Sequence, residues 1–135
     1  MKPEIEKKIK SSKALAGKTV VDVVQMPKFL SNLEAYMKAQ REEREAARLS
    51  YEKVKHYAKG FHLPAHPIDK CINLNPEEFA AEYLAIHFKR SARPVAERTY
   101  IHQLAQQAYN LTIAQILVEE FPELEEVLLP KSKQS

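Results

Sequence analysis

Residues 28–59 contain neither glycine nor proline, and the rest of the chain has to accommodate this stretch. It is rich in Ala, Glu, Lys, Arg and Gln, which all favour helix, so the sequence predicts one helix from Lys28 to Lys59. At ~1.5 Å per residue this helix is roughly 48 Å long, more than a compact domain of this size needs. Gly60 follows and can take the left-handed conformation that ends a helix.

A stripe of positions spaced by three and four residues runs along this predicted helix. Gln40 and Arg44 make its middle polar. Two interpretations stay open: the charged middle is a solvated bridge between two packing patches, or the stripe is a heptad-like seam for a partner helix, with a polar layer that sets the register. On the second interpretation the seam residues are Leu30, Leu33, Met37, Tyr51 and Val54.

Helix start signals are clearest after residue 74. Asn75 suits a helix cap, Pro76 suits the first helical position, and Glu78 stands where it completes a capping box. A short turn of helix is expected after Phe121 and Pro122.

A second helix start is predicted at Thr112. Gln115 lies three residues later and would complete a capping box, and Leu111 and Ile116 occupy the positions of a hydrophobic staple. The predicted fold class is therefore all-α, with one long charged helix plus a C-terminal bundle of three to four short helices.

These predictions divide the chain into five parts. Residues 1–18 hold six lysines and little apolar surface, which predicts a basic flexible arm. Residues 19–60 join an apolar segment, expected to be a short helix or an extended stretch, to the long helix. Residues 61–74 form a Pro/His-containing loop, 75–130 the C-terminal helical bundle, and 131–135 a free tail.

Charge is distributed unevenly along the chain. Residues 1–111 hold 19 basic and 13 acidic side chains, whereas residues 112–130 hold five glutamates and no Lys or Arg. This polarity fits pairing between helices, self-association, or a basic surface for an acidic partner. The single cysteine, Cys71, and the absence of an apolar signal-like run favour a cytoplasmic protein, and no window is apolar enough to predict a membrane span.

Two local patterns suggest specific binding chemistry. His62, His66 and Cys71 offer imidazole and thiolate ligands for zinc, although their spacing matches no paired-knuckle arrangement. The turn near Thr112 permits a helix-turn-helix, but the helix that would enter the DNA groove carries Glu119 and no Lys or Arg, so we do not expect DNA reading.

Four cations lie between the first two predicted bundle helices: Lys89, Arg90, Arg93 and Arg98. They can clamp the phosphates of a nucleic acid, together with free N–H groups at the next helix start. They can equally complement the negative end of the preceding helix or pair with the acidic C-terminal helices.

No nucleophile has a base at motif spacing, so the sequence predicts no catalytic residue, no cofactor and no enzyme. The expected function is that of a small non-enzymatic adaptor or assembly protein, acting through helix–helix contacts with protein partners or itself as a homo-oligomer. The alternative is a small nucleic-acid-binding protein that uses the lysine arm and the corner at residues 89–98. A zinc-stabilised module is the third hypothesis.

Overall fold

The structure, a computed structural model, describes residues 3–57, 60, 62–63 and 65–129, and within these ranges it contains helices and no strand. The α-helices are α1 (Pro3–Ser11), α2 (Val20–Val24), α3 (Pro27–Val54), α4 (Pro76–His87), α5 (Val95–Glu120) and α6 (Glu125–Leu128). Two 3-10 helices, Pro67–Lys70 and Pro122–Leu124, lie between them. The all-α class with one long charged helix is confirmed.

The main core forms where the first half of α3 packs against α4 and α5. Phe29, Leu33 and Met37 of α3 have no solvent exposure. They meet the buried faces of α4 and α5, whose members are Phe79, Ala80, Tyr83, Ile101, Leu104, Ala105 and Ala108. Burial of this apolar surface holds the three helices together, at roughly 1.5–3 kcal/mol for each large side chain.

The predicted helix start at Thr112 is wrong, because α5 runs unbroken through it. The Thr112 hydroxyl is buried, donates to the carbonyl of Ala108 at 2.7 Å, and accepts from Nδ2 of Asn32 on α3 at 3.0 Å. The same Asn32 amide donates to Oε1 of Gln115 at 2.9 Å. Both side chains therefore cross-link α5 to α3 instead of capping a new helix.

The predicted start of α4 is confirmed. Asn75 accepts from the backbone N–H of Glu78 at 2.7 Å, and the Glu78 carboxylate accepts from the Asn75 N–H at 3.2 Å. The apolar segment before α3 is the expected short helix, α2, capped by a Thr19–Asp22 box. A short helical turn after Pro122 is also present.

The N-terminal arm departs from the prediction of a flexible segment, since residues 3–11 form α1 and Ile5 and Leu15 are buried. Sequence reasoning underestimated its apolar contribution, because Ile5 and Leu15 join Ile116, Leu117 and Leu124 in a second cluster. Cations of the N-terminal region also meet the acidic end of the chain, in the ion pairs Lys8–Glu123 (3.4 Å) and Lys28–Glu119 (3.2 Å). The uneven distribution of charge along the sequence thus corresponds to ion pairs within the chain.

Two other boundaries differ from the prediction. Helix α3 ends at Val54, five residues before the predicted end, and Lys59 lies outside the described residues. Gly60 has the expected positive φ of 87°, but it follows the helix instead of ending it. The predicted tail, residues 131–135, also lies outside the described residues.

Glu120 holds the end of the arm in place through its carboxylate. It accepts from the Ser12 hydroxyl at 2.6 Å and from the backbone N–H groups of Lys13 and Ala14 at 2.9 and 3.0 Å. These donors, the Ser12 hydroxyl first, lower the pKa of Glu120 below its ordinary 4.5. The Glu120 carboxylate therefore binds a proton less readily in the folded state than in the unfolded state. Its contribution to the free energy of unfolding is fully present above about pH 4.5, the ordinary pKa, and is lost as the pH falls through the lowered pKa.

We predict that Glu120→Gln speeds hydrogen exchange at the Lys13 and Ala14 amides at neutral pH, because an uncharged amide offers only one acceptor oxygen. Glu119→Gln is the matched control, since among the described residues Glu119 pairs with the Lys28 side chain and not with the arm, and it should leave these amides protected. Amide-resolved exchange by NMR makes the measurement. Equal protection in both variants would contradict this role of Glu120.

Candidate functional site

The second half of α3 leaves the core. After Met37, no residue of α3 is buried, and this holds through residue 57, where the first internal gap in the description begins. We call residues 42–54 the projecting segment. Leu49 and Val54 on this segment are 48% and 49% exposed, and Tyr57 just beyond it is 89% exposed. A helix that carries apolar side chains into solvent is a candidate contact surface.

Two arginines anchor the base of the projecting segment to the chain that returns after it. Arg44 forms a fork with Asp69, Nε to Oδ1 at 2.9 Å and Nη2 to Oδ2 at 3.0 Å. Arg41 donates to the carbonyl of Ile72 at 3.1 Å and to Glu34 at 2.6 Å. The polar middle of the predicted stripe is thus the place where α3 leaves the core, held by bidentate and charge-assisted hydrogen bonds.

Asp69 is itself fixed by the 3-10 helix that contains it. Its carboxylate accepts from the backbone N–H of His66 at 3.1 Å, while Nδ1 of His66 accepts from the N–H of Ile68 at 3.1 Å. The Arg44 fork, followed by the His66 N–H, lowers the pKa of Asp69. Asp69 therefore stays ionised at neutral pH, and its fork with Arg44 positions the base of the segment.

The predicted partner seam is divided by the fold. Leu33 and Met37 are fully buried in the protein's own core, so these two cannot face a partner, and Leu30 is partly buried against that core. Tyr51 is half-buried and Val54 is exposed. Sequence reasoning missed Leu49, which lies on the opposite face of the helix, because only the tertiary structure shows which face the core covers.

A cleft of about 330 Å³ lies between α3 and the returning chain, beside Asp69 and Leu63. Three arginines line it, and each has a carboxylate partner: Arg41–Glu34, Arg44–Asp69 and Arg48–Glu45. Among the described residues, each arginine of the cleft is thus already paired with a carboxylate, which lowers its capacity to hold an anion.

The three predicted zinc ligands do not converge. Cys71 is buried with its Sγ 3.5 Å from the Ile68 carbonyl, and burial raises the pKa of its thiol to about 11. His66 caps the 3-10 helix, and His62 is exposed. Among residues 3–57, 60, 62–63 and 65–129, no group of three or more His, Cys, Asp or Glu side chains is placed to hold a metal ion.

The basic corner is partly occupied by internal pairing. Arg93 donates to Glu82 on α4 at 2.8 Å and to Glu97 at the start of α5 at 3.1 Å. These two partners are not among the glutamates of residues 112–130 that the sequence offered for pairing. Arg98 donates from Nε to the Arg93 carbonyl at 3.0 Å.

The other two cations of this corner remain accessible. Lys89 and Arg90 are exposed and form no ion pair with any other described residue. Arg90 lies 5.8 Å from the ring centroid of Phe88, which is 46% exposed. A cation and an exposed ring are thus available together at the surface.

An apolar groove of about 440 Å³ lies between α1, α5 and α6. Its lining is mostly Ile5, Ile9, Ile113, Ala114, Leu117, Val127 and Leu128. The polar groups along it belong to Tyr109 and Asn110, and the Asn110 oxygen already accepts from Gln106. A ligand site usually has several converging polar groups, and this groove lacks them.

Comparison with protein-family models, curated proteins and solved structures gives no match for this chain. Within the part of the chain that the structure describes, no helix has both the length and the apolar character needed to cross a bilayer. Function is therefore inferred from the geometry of the chain itself.

We predict that the interaction between Arg44 on α3 and Asp69 on the 3-10 helix contributes up to about 1 kcal/mol to the free energy of unfolding, the upper end for a partly exposed ion pair. A double-mutant cycle with Arg44→Gln and Asp69→Asn, followed by urea unfolding, measures this coupling. The control cycle uses Arg48 and Glu45, which are three residues apart on α3 and both exposed, and should give a smaller coupling. Equal couplings would show that the fork is not an anchor.

Proposed function

We propose that this chain is a small non-enzymatic assembly protein that acts through helix–helix contacts made by the projecting segment of α3. The observation that carries the proposal is the exposure of Leu49 on a helix that extends past its own core. Single exposed apolar residues are common, but Leu49 lies in a stretch of α3, residues 42–54, in which no residue is buried.

The energetics of helices favour this interpretation. Most helical stability in proteins comes from packing an apolar face, and a short helix without it is marginal in water. The pairs Arg48–Glu45 and Lys55–Glu52 lie on the exposed surface of the helix and support the segment only weakly. Burying Leu49 against a partner helix would add of order 1 kcal/mol.

A non-enzymatic role fits the large pKa shifts in the structure. Burial raises the pKa of Cys71 to about 11 and of Tyr83 to about 12, which makes both groups less reactive near neutral pH. The Tyr83 hydroxyl donates to Gln106 at 2.8 Å, as expected of a core residue. A buried, protonated Cys71 also fits the cytoplasmic setting that we propose for the protein.

We predict that Leu49→Asp lowers the mass of the protein in solution toward the 15.5 kDa of a single chain, because it places a carboxylate in the contact. Ser50→Asp adds the same charge one residue away on a different face and should leave the mass unchanged. Light scattering coupled to size exclusion measures both. A wild-type protein that is monomeric at millimolar concentration would contradict self-assembly.

Nucleic-acid binding through the basic corner is the second candidate function. It is favoured by the exposure of Lys89 and Arg90 beside the Phe88 ring, since cations contact phosphates and rings stack on bases. The pairing of Arg93 with two glutamates reduces its support. Two lysines of the N-terminal region, Lys8 and Lys28, are likewise paired with glutamates.

If the corner binds nucleic acid, Lys89→Gln with Arg90→Gln should weaken retardation of single-stranded RNA at low salt and flatten its salt dependence. In contrast, Arg93→Gln should act mainly on stability, because it leaves Glu82 and Glu97 without their partner. The absence of retardation of any RNA or DNA by the wild-type protein at low salt would remove this candidate.

A further inference from the structure

We infer that the partner of the projecting segment is the same segment of a second copy of this chain, packed antiparallel to it. This inference rests on the proposed function, because it specifies which helix the segment contacts and in which direction. Three features of the segment carry it: the face on which Leu49 lies, the charge gradient along the helix, and the two charged side chains that this face leaves unpaired.

The contact face is the side of α3 turned away from the core. At 100° per residue, Leu49 is roughly 160° around the helix from the buried Leu33. Glu42 lies two turns before Leu49 and Lys53 lies one turn after it, with Ala46 between, so the four share one side of the helix. All four are exposed.

Charge changes sign along the segment. Residues 42–45 hold three glutamates and one arginine, whereas residues 48–55 hold three cations and one glutamate. Two such helices attract one another when antiparallel, because each acidic end meets the other's basic end, and they repel when parallel. Antiparallel packing also brings opposite ends of the helix dipoles together.

Glu42 and Lys53 are the charged residues that this face leaves available. Neighbouring glutamates are used within the helix, Glu45 by Arg48 and Glu52 by Lys55, at 2.6 and 2.7 Å. In contrast, Glu42 and Lys53 form no ion pair with any residue that the structure places. In an antiparallel pair that crosses near residues 46–49, Leu49 packs on Ala46 of the second copy and Glu42 faces its Lys53.

Twofold symmetry makes this contact occur twice. In an isologous dimer, Glu42 of each copy meets Lys53 of the other, so a single substitution changes two interactions. The small Ala46 allows the two helices to approach closely around Leu49. The ion pairs then select the orientation, while the apolar centre supplies most of the affinity.

A charge exchange in the full-length chain tests this arrangement. Glu42→Lys and Lys53→Glu should each weaken self-association by at least about 5- to 30-fold in sedimentation equilibrium, because each removes two attractions and puts two like-charge repulsions in their place. The double variant Glu42→Lys with Lys53→Glu should restore the wild-type constant to within about threefold. A double variant as weak as the single ones would overturn the inference.

Disulfide formation tests the orientation independently, and the buried Cys71 should not compete. In an oxidised mixture of the Glu42→Cys and Lys53→Cys chains, the mixed disulfide should exceed either symmetrical one. A predominance of symmetrical disulfides at either position would overturn the antiparallel arrangement.

The proposed contact surface and its antiparallel arrangement can be disproved separately. If Leu49→Asp dissociates the protein but charge exchange does not restore association, the projecting segment is a contact surface and the antiparallel inference is wrong. If Leu49→Asp leaves an oligomer intact, the segment is not the contact and both fail. Because all the substituted positions are exposed, circular dichroism should show a folded helical protein in every variant.

Discussion

The rest of the structure depends on the packing of the first half of α3 against α5. Phe29, Leu33 and Met37 are completely buried there, in a cluster that includes the small Ala105 and Ala108 on α5. The amide of Asn32 donates to two residues of α5 and fixes the register between the helices. Since α4 packs on both helices, this contact sets the position of the whole main core.

The length of α3 relative to that core determines the candidate site. Burial on α3 stops at Met37, and the helix continues to Val54. The Arg44–Asp69 fork holds the point where the helix leaves the core, and the rest of it carries Leu49 into solvent. The polar residues Gln40 and Arg44 therefore separate two parts of α3. The part before them packs in the core, and the part after them, as we propose, contacts a partner.

Sequence reasoning found the features that local chemistry encodes. The long helix and the Asn75 capping box follow from propensity and from side-chain bonds to nearby N–H groups, and both are present. It failed where distant residues decide the outcome. Thr112 fits a helix cap, yet its hydroxyl is satisfied by Ala108 and Asn32, and the arm is ordered by Glu120, more than a hundred residues away. Leu49 could not be identified because its exposure depends on which face of α3 the core covers.

Hydrogen exchange along α3 at several protein concentrations tests whether one helix serves the core with its first half and a second copy of the chain with its other half. Amides of residues 31–41 should be strongly protected at every concentration, because they unfold only with the core. Amides of residues 45–54 should be weakly protected in dilute protein and gain protection as the concentration rises. Protection of residues 45–54 that does not change with concentration would contradict the claim.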